Sequence, residues 1–96
     1  MNLMLWKVEI SDKADKQLLA LDKPMRERIR NYVKDLEKLP NPRMRGENLS
    51  GNLSEFWKYR VGDYRLICRI EDDKLLVLVV KIGHRSEIYK RAGNER

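Results

Sequence analysis

The dipeptide Gly62-Asp63 separates two runs of alternating apolar and polar residues, and it constrains this chain more than any other feature. Glycine at the first central position suits a two-residue type II′ hairpin, because that position needs a positive φ. With this turn the register follows: Val61 faces Tyr64, Arg60 faces Arg65, Tyr59 faces Leu66 and Lys58 faces Ile67. Alternation then sorts the side chains. Trp57, Tyr59, Val61, Tyr64, Leu66, Cys68 and Ile70 share one face, a core face. Phe56, Lys58, Arg60, Arg65, Ile67 and Arg69 share the other.

The second face carries the functional signal. Like charges opposite each other on a ladder are unfavourable, by roughly 0.2–1 kcal/mol per pair. A sequence selected for stability alone would alternate signs there. Lys58, Arg60, Arg65 and Arg69 crowd together instead, with only Glu71 nearby at the far end, so something polyanionic is expected to complete this face. The formal net charge of +6 points the same way, to RNA, DNA or an acidic protein.

The rest of the chain supplies a support for these strands. Leu3 to Ile10 reads as a short strand. Ser11 is placed to cap a helix over Asp12 to Leu21, with Asp12 and Asp15 in its first turn and Ala14, Leu18 and Leu21 at helical spacing. Asp22 is placed to cap a second helix, where Pro24 is tolerated because the first turn needs no intrahelical donor. Met25, Ile29, Tyr32, Val33 and Leu36 then form one apolar stripe, and Leu39-Pro40-Asn41-Pro42 ends the helix. Residues 40–53 read as a loop made basic by Arg43 and Arg45. Asp72-Asp73 is a second short turn signal, and Leu75 to Ile82 is apolar enough to lie inside the sheet. The chain then runs into Gly83-His84-Arg85 and a final turn to Tyr89, followed by seven polar residues expected to fray. The whole, residues 1–96, is expected to make one domain with one core.

Arg26, Arg30, Lys34 and Lys38 recur at i+4 steps on the outer side of the second helix. They are either a solvated face relieved by Glu27, Asp35 and Glu37 or a phosphate-contacting surface. Cys68 has no partner for an internal disulfide and reads as a small buried hydrophobe. One histidine and one buried cysteine fall short of a metal site, so no metal and no cofactor are expected. No apolar run approaches the ~20 residues of a membrane span. The N-terminus lacks a signal-peptide pattern, so a cytoplasmic protein is expected.

The run VGDYRLICRIEDDKLLVLVVKIGHRSEIYK resembles the C-terminal half of the RelE/ParE superfamily of bacterial toxins, in its RelE-type branch. Asn48-Leu49-Ser50-Gly51 resembles the Leu-x-Gly element that leads into the same strand, and GDYRL and GHRSEIY are the most specific pieces. The resemblance implies an α+β fold of order β-α-α-β-β-β-(α), a small antiparallel sheet packed on a helical hairpin. It further implies ribosome-dependent cleavage of mRNA in the A site, and neutralisation by a cognate antitoxin. Carried over by position, the catalytic set is Lys58, Arg60, Arg65, Arg85 and Tyr89.

These side chains suit attack of a ribose 2′-hydroxyl on its own adjacent phosphate. Arg65 and Arg85 offer guanidinium forks to phosphate oxygens. Arg60 stands where the RelE-type pattern often has lysine, and an arginine does not give up its proton, which leaves Lys58 as the expected base. Crowding by Arg60 and Arg65 is expected to favour its neutral amine. Tyr89 offers a ring for base stacking. His84 suits proton transfer to the leaving 5′-oxygen, or simply ends the strand. Arg69, Arg43, Arg45, Arg30 and Lys34 are the expected further RNA contacts. The rival from another class is a ParE-type toxin that inhibits DNA gyrase without cleaving RNA.

Overall fold

Residues 5–88 are described by the computed structural model. β1 (Lys7–Ile10) leads into two helices, α1 (Asp12–Leu19) and α2 (Lys23–Glu37). The expected caps form: the Ser11 side chain accepts from the Ala14 N–H, and that of Asp22 accepts from the Met25 N–H. α1 stops short of the expected Leu21, with Ala20 at its C-terminal cap. A short β2 (Glu47–Asn48) follows, then β3 (Trp57–Val61), β4 (Tyr64–Glu71) and β5 (Leu76–His84), and residues 85–88 are helical.

The strands form one sheet in the order β1-β5-β4-β3-β2. The β3–β4 register is the expected one throughout: Val61↔Tyr64, Arg60↔Arg65, Tyr59↔Leu66 and Lys58↔Ile67. Gly62 has φ +60° while Asp63 is not left-handed, as a type II′ turn requires. The α+β class holds, with two differences in the sheet. β1 runs parallel to β5, with Lys7 opposite Leu76, so the sheet is mixed rather than wholly antiparallel. A tight turn fixes antiparallel pairing, but no turn joins β1 to its neighbour, so alternation left its direction open. β2 adds a further strand where a loop was expected, pairing Glu47 with Lys58 and Asn48 with Trp57.

The Asp72-Asp73 turn is also longer than expected. Asp72–Lys74 form a 3₁₀ turn closed by Leu75 in the left-handed region at φ 51°, so β5 begins one residue late. Between Ile67↔Lys81 and Cys68↔Val79 the register shifts, leaving Val80 as a bulge.

The core lies between the helices and one sheet face. Ala14, Leu18, Ile29 and Leu36 pack against Tyr59, Val61, Leu66, Cys68, Val77, Val79 and Ile82. Each large apolar side chain buried there contributes about 1.5–3 kcal/mol. The helices also satisfy sheet-edge donors: the Val8 N–H donates to Glu37 Oε2 and the Ile82 N–H to Gln17 Oε1, each at 2.8 Å. The helical hairpin therefore holds the sheet from one side and leaves the cationic face of β3 and β4 turned away from it.

Candidate functional site

The β3–β4 hairpin carries Lys58, Arg60 and Arg65 on the face opposite the core, as the register demands. Arg60 and Arg65 are directly cross-strand. Their repulsion is relieved by direction rather than by a carboxylate: Arg65 Nη1 donates to the carbonyls of Gly62 and Tyr64 at 3.1 and 3.0 Å. The same turn anchors Arg85, whose N–H donates to the Asp63 carbonyl at 2.8 Å and whose Nε lies 3.5 Å from the Asp63 carboxylate. A third guanidinium, Arg28 of α2, lies against Gly62, with Nη1 2.8 Å from where a Cβ would stand. Three arginines thus gather on one turn.

Lys58 has different surroundings from those expected. Its ammonium faces the Glu47 carboxylate at 3.4 Å, and the Arg65 guanidinium is drawn off to the turn. Glu47 is placed there by Gly46. That glycine has φ +77°, and a Cβ on it would collide with the Lys58 carbonyl, Trp57 Nε1 and Tyr59 Cδ1. Only glycine lets the chain approach β3 this closely, which seats Glu47 opposite Lys58 in the ladder. Beside this pair lies a cavity of about 270 Å³ lined by Tyr32, Gly46, Glu47, Lys58 and Arg60. Arg45 covers the Tyr32 ring at 5.5 Å, and burial pushes the Tyr32 phenol up despite that guanidinium.

His84 pairs with Tyr64, on the helix side of the sheet, and meets the Tyr64 ring edge-on at 5.4 Å. The structure thus separates it from the face of Lys58, Arg60 and Arg65. Its Nδ1 accepts from the Ser86 N–H at 3.1 Å and lies 2.8 Å from the Ser86 hydroxyl, which leaves Nε2 as the outward nitrogen. Tyr89 lies outside the described residues, as does the seven-residue tail.

The expected RNA contacts divide. Arg43 is bound to Asp72 by two hydrogen bonds of 2.8 and 2.9 Å. Arg69 lies 3.8 Å from Glu55 and covers the Phe56 ring. Arg45 is stacked on Tyr32. Arg30 and Lys34 are exposed on the side of α2 turned from the core, away from the hairpin's cationic face. Glu47 and Glu55 therefore correct the expectation that Glu71 alone tempers the cationic face.

Sequence reasoning missed Glu47 and Arg28. A strand as short as β2 shows no alternation, so nothing marked Glu47 as paired; Gly46 before it was the one available sign. Arg28 was hidden among the cations of α2, and only the helix–hairpin contact singles it out.

The outer face also holds an apolar groove of about 340 Å³, with Leu49, Phe56, Ile67, Val80 and Ile88 among its lining residues and Arg69 at its side. Among the described residues no three of His, Cys, Asp or Glu are grouped to hold a metal ion, and no helix is long and apolar enough to cross a membrane. Chemically, the hairpin and its turn offer guanidinium and ammonium donors for a phosphate, with one carboxylate beside them.

The sequence pattern of the family described as "ParE toxin of type II toxin-antitoxin system, parDE" matches residues 8–89. The mRNA interferase toxin RelE of Escherichia coli is 30% identical over 92 residues, spanning 93% of this chain and 95% of that protein. Toxin RelG of Mycobacterium tuberculosis is 37% identical over 46 residues, 48% of this chain, and the match spans about half that relative's length, 53%. Among solved structures, the toxin-antitoxin complex RelBE2 of M. tuberculosis superposes with a TM-score of 0.77 at 24% identity, covering 90% of this chain and 98% of that one. The archaeal RelE-RelB complex of Pyrococcus horikoshii gives 0.68 at 25% identity, covering 86% and 98%.

Proposed function

The chain belongs to the RelE/ParE superfamily of toxins from type II toxin-antitoxin systems, and on that premise we propose that it is a ribosome-dependent endoribonuclease that cleaves mRNA in the A site. The observation that carries this reading is the clustering of Lys58, Arg60 and Arg65 on the open face of one hairpin, with Arg85 anchored at its turn. Like charges set side by side on one open face cost stability, and a bound phosphate would offset that cost. In this reading the arginines neutralise charge that builds on the phosphorane, where donors fixed in advance act most strongly. Tyr89 stacks on an unpaired base, and His84, on the helix side of the sheet beside Tyr64, ends the strand and stays outside the catalytic set. Arg30, Lys34, Arg43, Arg45 and Arg69 widen the cationic surface for RNA. The partners are the ribosome, mRNA and a cognate antitoxin, and the protein works in the cytoplasm without metal or cofactor.

The second reading, a gyrase inhibitor, is kept because the matching family is described by its ParE members. Primer extension on translated mRNA, with and without ribosomes, separates the two. Cuts that need ribosomes support the nuclease. Arg85→Ala and Tyr89→Ala are expected to abolish growth arrest, and Arg85→Ala should leave the fold intact, since its side chain is exposed in its ion pair with Asp63. Variants that stay toxic and produce gyrase-dependent DNA breaks establish the rival.

A further inference from the structure

We propose that His84 is a positioning residue for Arg85: its neutral ring caps the helical turn on which Arg85 stands, and so makes the site sensitive to acid. The role rests on the nuclease reading above. The turn is formed by residues 85–88 directly after β5, so His84 is its N-cap and Ser86 its second residue. The first N–H groups of a helix have no intrahelical partner, and the N-cap side chain ordinarily accepts from the second or third residue. Asn, Asp, Ser and Thr usually do this. Here an imidazole does it: Nδ1 accepts from the Ser86 N–H at 3.1 Å, with the Ser86 hydroxyl 2.8 Å away.

The cap lies between two fixed points. Before it, the Arg85 N–H donates to the Asp63 carbonyl at 2.8 Å, which ties the end of β5 to the β3–β4 turn. After it, Ile88 is buried and packs on Gly83, its Cδ1 2.8 Å from where a Cβ would stand. Among the described residues the Arg85 guanidinium has one partner, the exposed Asp63 carboxylate at 3.5 Å, so its aim depends on where the backbone of the turn stands. A ring nitrogen accepts only while it has a lone pair, and the cap therefore needs the tautomer with its proton on Nε2. A second proton turns Nδ1 into a donor facing the Ser86 N–H, and sets a full positive charge at the positive end of the turn. The titratable and charged groups around the ring are Arg85 and Glu87 of its own segment, Asp63 and Tyr64 of the hairpin, and Asp22 and Arg28 of α2 beyond Tyr64. Asp63 is engaged by Arg85 rather than by the ring. Acid thus opens the turn and releases Arg85 from the phosphate.

The test is single-turnover cleavage on programmed ribosomes at saturating toxin for the wild type, His84→Asn and His84→Ala. Rates are taken from about pH 5.5 to 8, the window in which an imidazole ordinarily changes charge. Asparagine caps a helix without titrating, so dividing each rate by that of His84→Asn at the same pH cancels the titration of every other group. At the upper end His84→Asn should cleave close to the wild-type rate, and His84→Ala should be slower by roughly 2–30-fold, the usual effect of a lost cap. Towards the lower end the wild type should fall, relative to His84→Asn, to the level of His84→Ala. Nitrogen-15 spectra of the ring, the one histidine of the sequence, should show the proton on Nε2 at the upper end. A ring protonated on Nδ1 there overturns the cap. So does a His84→Ala variant that matches the wild type, or a wild-type ratio that stays constant with pH. Equal losses in His84→Asn and His84→Ala overturn it too, because they assign the ring itself to proton transfer. A wild type that leaves mRNA uncut at every pH overturns the nuclease reading, and the positioning role falls with it.

Discussion

Asp72 accepts two hydrogen bonds from the Arg43 guanidinium across the gap between the 41–46 loop and the β4–β5 connection. The guanidinium holds the Asp72 carboxyl below the usual carboxylate range, and Asp72 in turn raises Arg43, so the two partners agree in direction. A carboxyl depressed in the folded state stabilises the protein at any pH above its unfolded value, about 3.9. That contribution is lost as pH falls through the lower folded value. The melting-temperature gap between wild type and Asp72→Asn should therefore be constant above about pH 5 and close below about pH 4. Both groups are largely exposed, so the gap should be small and should shrink with salt. A gap that widens in acid would mean that the pair does not form. The same loop is fixed more firmly elsewhere, because the buried Tyr59 hydroxyl donates to the Pro42 carbonyl at 2.9 Å and Trp57 Nε1 to the Arg45 carbonyl at 2.8 Å.

At the scale of elements, β2 and the β3–β4 hairpin depend on glycines that no other residue replaces cheaply. Gly62 and Gly46 both have positive φ, where an L side chain costs roughly 1–2 kcal/mol. They differ in what a Cβ would strike. At Gly62 it meets the end of the Arg28 side chain, which can swing aside; at Gly46 it meets the Lys58 backbone carbonyl, which cannot. Gly46→Ala should therefore lower the urea midpoint more than Gly62→Ala, with no change in slope if both unfold in two states. Gly46→Ala should also break the Glu47–Lys58 pair, because it displaces β2 from β3. Equal midpoints for the two variants would show that β2 shifts without penalty.

Across the whole molecule the net charge of +6 is unevenly held. Among the described residues Arg43, Lys58 and Arg69 have acidic partners, whereas Arg28, Arg30 and Arg60 have no ion pair. An antitoxin with an acidic segment laid over this surface would replace the RNA phosphates and block the site. Its affinity should fall as salt rises from about 0.05 to 0.5 M, measured by titration calorimetry, because exposed charges are screened over about 10 Å at 0.1 M. An affinity that stays flat across that range would place the antitoxin on apolar contacts instead. The groove by Leu49, Phe56, Ile67 and Val80 is the surface that could then take over.

The sequence by itself determined the hairpin and everything that hangs on it. Gly62-Asp63 set the register, and alternation then placed Lys58, Arg60 and Arg65 outward and Tyr59, Leu66 and Cys68 inward, because side-chain period and turn geometry are local properties. The two helices and their caps at Ser11 and Asp22 were legible for the same reason. The resemblance carried by GDYRL and GHRSEIY pointed to the family, which the match over residues 8–89 bears out. What only tertiary structure decided was non-local. The parallel pairing of β1 with β5, the addition of β2, and the meeting of Arg28 with the Gly62 turn each join segments far apart in the chain. The surroundings of Lys58 belong here too. Reading along the chain, its neighbours are cations, but folding brings Glu47 to it across a strand too short to leave a pattern. Charge pairing depends on distance in space, and no period in the sequence records that distance.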